Sequence, residues 1–365
     1  MKKRLLFIAG LLACSSFALP AQESIPGSDR MLTVSGRSLS RGDTLSFDWS
    51  GTEVRIRFQG RSLKMTCADS GADWFNVFID KPLSTSADKI LKVGKAGFRE
   101  VSLVEGARKG THDVIIQKRT EGEQGRLDIV SFETDGRFLQ ADGLRDRHIE
   151  FIGDSYTCGY GASVTGRDKP FKAEEEDANL SYASILGRFF DADVNLVSHS
   201  GRGIIRNYGD GNPGSTMPLR YLRTFDADAG ELWDPAAAAF IPDIVVIYLG
   251  TNDFSTGKQP RLEDWLAAYK SLLETVRGWY GEGVPILCAA APSGREMAGY
   301  VEKAARESGV PNVYWTALHD GVYNHEEDLG ADWHPNYKGH RKVASALAPH
   351  ISTLTGWPLP DKAIE

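Results

Sequence analysis

Ile149-Glu150-Phe151-Ile152-Gly153-Asp154-Ser155-Tyr156-Thr157-Cys158-Gly159-Tyr160-Gly161-Ala162 is the stretch from which the rest of the chain can be read. Ile149, Phe151 and Ile152 make a short apolar strand that runs into Gly153-Asp154-Ser155, and Gly159 and Gly161 enrich the following turn in glycine. Such a strand-to-turn junction delivers a side chain to the carboxyl edge of a parallel sheet, where open α/β folds bind ligands. A serine there is a nucleophile if a base reaches it and donors await the developing oxyanion. Asp and Ser also favour N-cap positions, so the pair equally reads as the start of a helix. Thr157 stands where the Gly-x-Ser-x-Gly elbow requires its second glycine, which excludes that motif. The remaining chain has to separate the two readings.

Downstream, strands and helices alternate. Tyr182, Ile185, Leu186 and Phe189 keep helical spacing after Asn179 and Ser181, either of which can cap. Residues 193–198 read as a strand, and 244–249 as a continuous apolar run of the kind a central parallel strand needs when both faces are covered. Leu262, Trp265, Leu266, Tyr269, Leu273, Val276 and Tyr280 mark a long amphipathic helix. A strand over 285–290, a helix near 296–308, a strand over 313–315 and a last helix from about Lys338 complete a doubly wound α/β domain over residues 147–365. Two long loops, 166–179 and 208–218, follow presumed strand ends and are expected to wall the cleft.

Upstream, the pattern has period two. Residues 44–49, 54–59, 63–67, 74–79, 89–93, 98–103, 112–118 and 126–132 read as short strands. Turn signals such as Asp69-Ser70-Gly71, Gly94 and Glu121-Gly122 separate them. Eight short strands predict an antiparallel jelly-roll sandwich over residues 22–146. Phe75, Val77 and Ile79 would share one face, and Trp74, Asn76 and Phe78 the other. Sandwiches of this kind often bind sugars, but Trp49 and Trp74 are expected to fill the core or the domain interface. Residue 147 enters the first parallel strand almost without a linker, so the sandwich is expected to lend a wall to the site.

Residues 1–21 carry Lys2, Lys3 and Arg4, then an apolar run and Ala18-Leu19-Pro20-Ala21, the layout of a secretory signal. A lipoprotein signal acylated at Cys14 is the second reading. Either way the protein is expected to be secreted or periplasmic. No other apolar run is long enough to span a membrane. The formal net charge of −7 becomes more negative when the three basic residues leave, and a chain without a basic stripe is a poor partner for nucleic acid. Cys67, Cys158 and Cys288 show no close pairing, and the eight His no metal-ligand spacing, so neither a disulfide framework nor a metal or other cofactor is expected.

Three further strand ends carry polar groups that suit acyl transfer. Ser198-His199-Ser200-Gly201-Arg202-Gly203 offers glycines whose amides can face an anion. Gly250-Thr251-Asn252-Asp253 brings a side-chain amide beside the serine, and Asp332-Trp333-His334-Pro335 a histidine close to a carboxylate. Taken singly, each motif reads as a turn, a cap or a satisfied polar residue. Together they supply the nucleophile, base and donors that acyl transfer requires.

These four blocks, in order, resemble the SGNH (GDSL-type) hydrolases. With the leading sandwich, Thr157-Cys158-Gly159-Tyr160-Gly161, Gly201-Arg202-Gly203-Ile204 and Gly339-His340, the chain is similar to carbohydrate esterase family 2, the acetyl-xylan-esterase-like deacetylases. The resemblance implies a flavodoxin-like catalytic domain in which Ser155 attacks an acetyl carbonyl and His334 carries the proton. It implies an oxyanion hole made by the Ser155 and Gly201 amides and the Asn252 side chain. It also implies an acetylated polysaccharide or oligosaccharide as partner. Independently of the resemblance, a monomer is expected. The wider superfamily has its Asp three residues before the His, and here that position is Ala331. Asp332 therefore either joins Ser155 and His334 from another angle or points away, leaving a main-chain carbonyl to orient the base. Trp333 is a candidate sugar platform, and Asp154 and Arg202 are further candidates for substrate binding. His340, His199 and Cys158 are expected in structural roles. A lipase or thioesterase on the same scaffold would need a long apolar acyl pocket, and a non-catalytic carbohydrate-binding protein would not need the intact set.

Overall fold

The computed structural model describes residues 22–365 apart from Gly211 and Ser293, so the expected signal over 1–21, Cys14 included, lies outside the described residues. Ten strands form the first sheet: β1 (Glu23–Pro26), β2 (Thr33–Ser35), β3 (Leu39–Arg41), β4 (Thr44–Phe47), β5 (Glu53–Gly60), β6 (Leu63–Ile79), β7 (Lys89–Val104), β8 (Gly110–Lys118), β9 (Leu127–Thr134) and β10 (Arg137–Leu139). The order is β10-β5-β8-β6-β9-β4-β3, with β1 on β9, β2 on β5 and β7 on β6. All these pairs are antiparallel.

β6 and β7 run 17 and 16 residues, where four shorter strands were expected. Asp69-Ser70-Gly71 is a bulge, not a turn, because the chain there packs against the β8–β9 connection. The Asp69 carboxylate accepts from the Gly71 and Asp73 amides at 2.7 and 3.3 Å. A Cβ on Gly71 would lie 1.9 Å from the Gln124 carbonyl oxygen. The register slips at this point, and β6 pairs with β9 through its first half and with β8 through its second. Bulges bend and twist a strand, and this sheet curls into a jelly-roll-like half-barrel around Phe47, Phe58, Met65, Phe75, Val77 and Ile116. On the opposite face of β6, Asn76 is buried and donates to Asp177 of the second domain at 3.0 Å.

The second sheet is parallel, built from β11 (His148–Gly153), β12 (Asp193–Ser198), β15 (Ile244–Tyr248), β16 (Ile286–Ala290) and β17 (Val313–Ala317). A small hairpin of β13 (Arg223–Phe225) and β14 (Asp228–Leu232) stands apart. The order β12-β11-β15-β16-β17 is the flavodoxin-like one, with its switch point between β11 and β15. Its helices are α1 (Ser155–Cys158), α2 (Tyr182–Phe190), α3 (Met217–Tyr221), α4 (Leu262–Tyr280), α5 (Arg295–Glu307) and α6 (Tyr337–Thr355). α2 packs on α6 and α4 on α5. Every residue of β15 and β16 is buried, which accounts for their unbroken apolar sequence.

The two domains share an interior. Trp49 is buried within the hydrophobic core of the parallel sheet, and its indole N–H donates to the Thr224 carbonyl at 2.8 Å. The buried Arg37 guanidinium lies 4.6 Å from the Tyr221 ring centroid and donates to the Arg223 carbonyl at 3.0 Å. Asp48 accepts from the Asp226 and Ala227 amides at 2.8 and 3.1 Å.

Candidate active site

Ser155 opens α1 directly after β11, beside the switch point where open α/β sheets form their ligand crevices. The turn is tight: a Cβ on Gly153 would lie 1.9 Å from Thr157 Oγ1. Asp154 caps the helix by accepting from the Tyr156 amide at 3.2 Å. His334, arriving just before α6, brings Nε2 to 2.8 Å from Ser155 Oγ. Its Nδ1 faces the main-chain oxygen of Asp332 at 2.9 Å. A carbonyl only accepts, so the proton sits on Nδ1 and Nε2 is free to take the serine proton. Burial pushes the His334 pKa below its ordinary value, which keeps the imidazole in its basic form.

The expected Asp332 carboxylate is not the group that meets His334. It accepts from the Tyr160 hydroxyl at 3.0 Å and the Phe171 amide at 3.3 Å. The backbone explains the swap. Asp332 and Trp333 have φ of 48° and 64°, a left-handed pair that turns the Asp332 peptide toward the ring. The loop after Gly166 holds this conformation: Asp332 N–H donates to Lys169 O at 2.9 Å and Trp333 N–H to Arg167 O at 3.0 Å. The 166–179 loop therefore does wall the site, and it also braces the base. Tyr160 stacks on Phe171 with centroids 3.8 Å apart and packs 4.3 Å from His334.

Across the cleft, Gly201 has φ of 74°, a conformation glycine adopts freely. The loop that carries it is pinned by carboxylates. Asp253 accepts from the amides of Ile204, Ile205 and Arg206 at 2.8, 2.9 and 3.0 Å. His199 is held by Asp226 at 2.5 Å. Burial lowers the His199 pKa, but the charges of Asp226 and Glu121 outweigh this and lift it to about 9. The Asn252 amide nitrogen donates to Asp154 at 3.1 Å and to the Arg202 carbonyl at 3.0 Å. Burial raises the Asp154 carboxyl to about 7.

Ser155, Gly201, Asn252, Trp333 and His334 thus converge on one cleft of about 590 Å³. Trp333 is 52% exposed, with Arg167 4.5 Å over its ring. Two expected substrate contacts are not in the cleft. Asp154 is buried as a helix cap, and the Arg202 guanidinium turns back to His199 Nε2 at 3.1 Å. His340 is buried and accepts from the Tyr182 amide at 3.2 Å, as a structural residue. Several lining residues were not singled out from the sequence: Tyr160, Phe171, the exposed Tyr208, and Glu121, Glu123 and Gln124 from the turn between β8 and β9. The β-domain does supply a wall. Its signal in the sequence was only Glu121-Gly122, indistinguishable from an ordinary turn.

A serine–histidine pair at the carboxyl edge of a flavodoxin-like sheet is the arrangement of the GDSL-type acylhydrolases. The model of the GDSL-like lipase/acylhydrolase family matches residues 151–342, and that of the carbohydrate esterase 2 N-terminal domain matches 34–141. The chain belongs to carbohydrate esterase family 2. It is 33% identical over 324 residues to the cellulase/esterase CelE of Acetivibrio thermocellus, covering 85% of this chain. It spans 38% of the length of that larger relative. It is 26% identical over 358 residues to an acetylxylan esterase / glucomannan deacetylase of Cellvibrio japonicus, covering 95% of this chain and 96% of the relative. The structure of a family two carbohydrate esterase from Clostridium thermocellum, in complex with cellohexaose, superposes with a TM-score of 0.82. That pair is 31% identical, covering 90% of this chain and all of the other. No helix among the described residues is long and apolar enough to cross a membrane.

Proposed function

We propose that this chain is an exported serine esterase that removes O-acetyl groups from plant cell-wall polysaccharides or their oligosaccharides, of the glucomannan and xylan type. The observation that carries this reading is the 2.8 Å contact between Ser155 Oγ and an imidazole whose tautomer is set by a main-chain carbonyl.

In the proposed reaction Ser155 Oγ attacks the acetyl carbonyl carbon while its proton passes to His334 Nε2. The carbonyl oxygen becomes an oxyanion, received by the Ser155 and Gly201 amides and the Asn252 side chain. Collapse of the tetrahedral intermediate breaks the bond to the sugar oxygen, which takes the proton from His334. Water then attacks the acetyl-serine, giving its proton to the same nitrogen, and acetate leaves as Ser155 is regenerated. Donating an Asn252 proton to the oxyanion requires sharing or releasing one of its bonds to Asp154 and Arg202. His334 works as a base without a carboxylate on Nδ1.

The cleft chemistry supports a sugar ester over a long-chain lipid. Glu123, Gln124 and Ser200 line it together with the aromatic faces of Trp333 and Tyr208. Aromatic faces stack against sugar rings at low entropy cost, and the polar groups match hydroxyls. The names of the Cellvibrio relatives and the cellohexaose in the Clostridium structure point the same way.

The test is acetate release from acetylated glucomannan and acetylated xylan by wild type and Ser155→Ala, side by side in excess chelator. Release by wild type, cut ~1000-fold or more by the substitution, is expected. Ser155-independent release, or none from either polymer, would overturn the reading.

A further inference from the structure

The loop that carries Gly201 is held from outside its own domain. Ser200 donates its amide to Glu121 Oε2 at 2.7 Å, and Glu121 sits in the β8–β9 turn of the curled sheet. Glu121 is only 2% exposed. The same oxygen accepts from Cys158 Sγ at 3.7 Å, and Cys158 closes the helix that Ser155 opens. One side chain of the β-domain therefore touches both the helix of the nucleophile and the residue preceding the oxyanion donor.

The turn is built for this approach. A Cβ on Gly122 would lie 2.7 Å from Asp226 Cβ, so any other residue would push the turn off the catalytic domain. The buried pair of Lys118 and Asp73 braces its start, and Thr120 Oγ1 donates to the same Asp73 at 2.6 Å. Ala178 of the catalytic domain donates its amide to the Arg119 carbonyl at 3.0 Å. A buried carboxylate is costly unless it is paired and hydrogen-bonded. Here the Ser200 amide and the His199 ring, with Nδ1 3.8 Å from Glu121 Oε2, supply that compensation. Glu121, Glu123 and His199 also lie close enough together to suggest a cation site. The Arg202 guanidinium against His199 Nε2 already puts fixed positive charge there.

We infer that Glu121 is a positioning residue for the oxyanion hole: by fixing the Ser200 peptide it sets the direction of the neighbouring Gly201 amide, so the β-domain completes the catalytic centre. The inference rests on the proposed roles of Ser155 and Gly201. A donor displaced by even about 1 Å forfeits much of its effect on the transition state while leaving ground-state binding alone.

The experiment is steady-state hydrolysis of 4-nitrophenyl acetate by the full chain, a substrate too small to need sugar contacts. Glu121→Ala is expected to lower kcat ~10- to 100-fold with KM changed no more than about twofold. Glu121→Gln keeps an oxygen acceptor for the Ser200 amide and is expected within ~3-fold of wild type. Affinity for methylboronic acid, whose tetrahedral adduct on Ser155 carries the oxyanion charge, should fall in step with kcat. If Glu121→Ala does not fold, Glu121→Met, of similar volume and without an acceptor, replaces it in the comparison. A kcat within about twofold of wild type in the variant lacking the acceptor, or an equal loss in the Gln variant, overturns the inference and leaves Ser155-dependent turnover standing. A wild type without Ser155-dependent turnover overturns the esterase reading and this inference together.

Discussion

The two walls of the cleft hold their reactive groups by opposite means. On the Gly201 side, side chains grip the main chain: Asp253 takes three consecutive amides, Glu121 takes that of Ser200, and Asp226 anchors His199. On the His334 side, the main chain grips a side chain. The carbonyl of Asp332 meets the imidazole, and the Asp332 and Trp333 amides are themselves fixed to the carbonyls of Lys169 and Arg167. The difference lies in what a substitution can reach. Replacing a carboxylate removes a grip on the oxyanion wall, whereas no substitution removes a peptide carbonyl from the base wall.

Left-handed backbone at two successive non-glycine residues costs of order 1–3 kcal/mol each. Asp and Asn tolerate that conformation better than other residues, so Asp332 suits its position for its backbone as much as for its charge. The cost is offset by the loop after Gly166, the Tyr160 hydroxyl and the stacking of Arg167 on Trp333.

Of the two walls, the oxyanion side should show the larger effect. Asn252→Ala is expected to lower kcat on the order of 100-fold with little change in KM, measured on acetylated oligosaccharide. An unchanged kcat would remove Asn252 from the mechanism and leave that wall with main-chain donors alone. The base wall is sharpened by pH. Burial depresses the His334 pKa below 6.5, so the active neutral form persists into mildly acidic solution and is lost only as pH falls through the lowered value. The acid limb of kcat/KM should therefore have its midpoint below 6.5. A midpoint above 6.5 would indicate a carboxylate partner raising the histidine pKa.

How far the sequence could be read follows the same division. The groups proposed to react were legible as a set, because Ser155, Gly201 and Asn252 each follow the end of an apolar strand and His334 just precedes the last helix, and such junctions are local features. Which atom of Asp332 serves His334 was not. It depends on a left-handed pair stabilised by carbonyls more than 160 residues earlier, and spacing toward the histidine carries no trace of that. Asp154 and Arg202 flank Ser155 and Gly201 in sequence, but one turns inward as a cap and the other back to His199. The curled sheet was legible in class and not in strand count. Asp69-Ser70-Gly71 has the composition of a turn, and only the approach of Gln124 makes it a bulge. Glu121 was hidden for a related reason: its partner is 79 residues away in the other domain.

The most direct measurement is kcat for Asp332→Asn against wild type on acetylated glucomannan. Asn keeps the left-handed turn, the main-chain carbonyl and an oxygen for Tyr160, so kcat should stay within ~5-fold of wild type. A carboxylate that held His334 in its working tautomer would make the same substitution cost ~10,000-fold, and a loss of that size would contradict a base oriented by main chain.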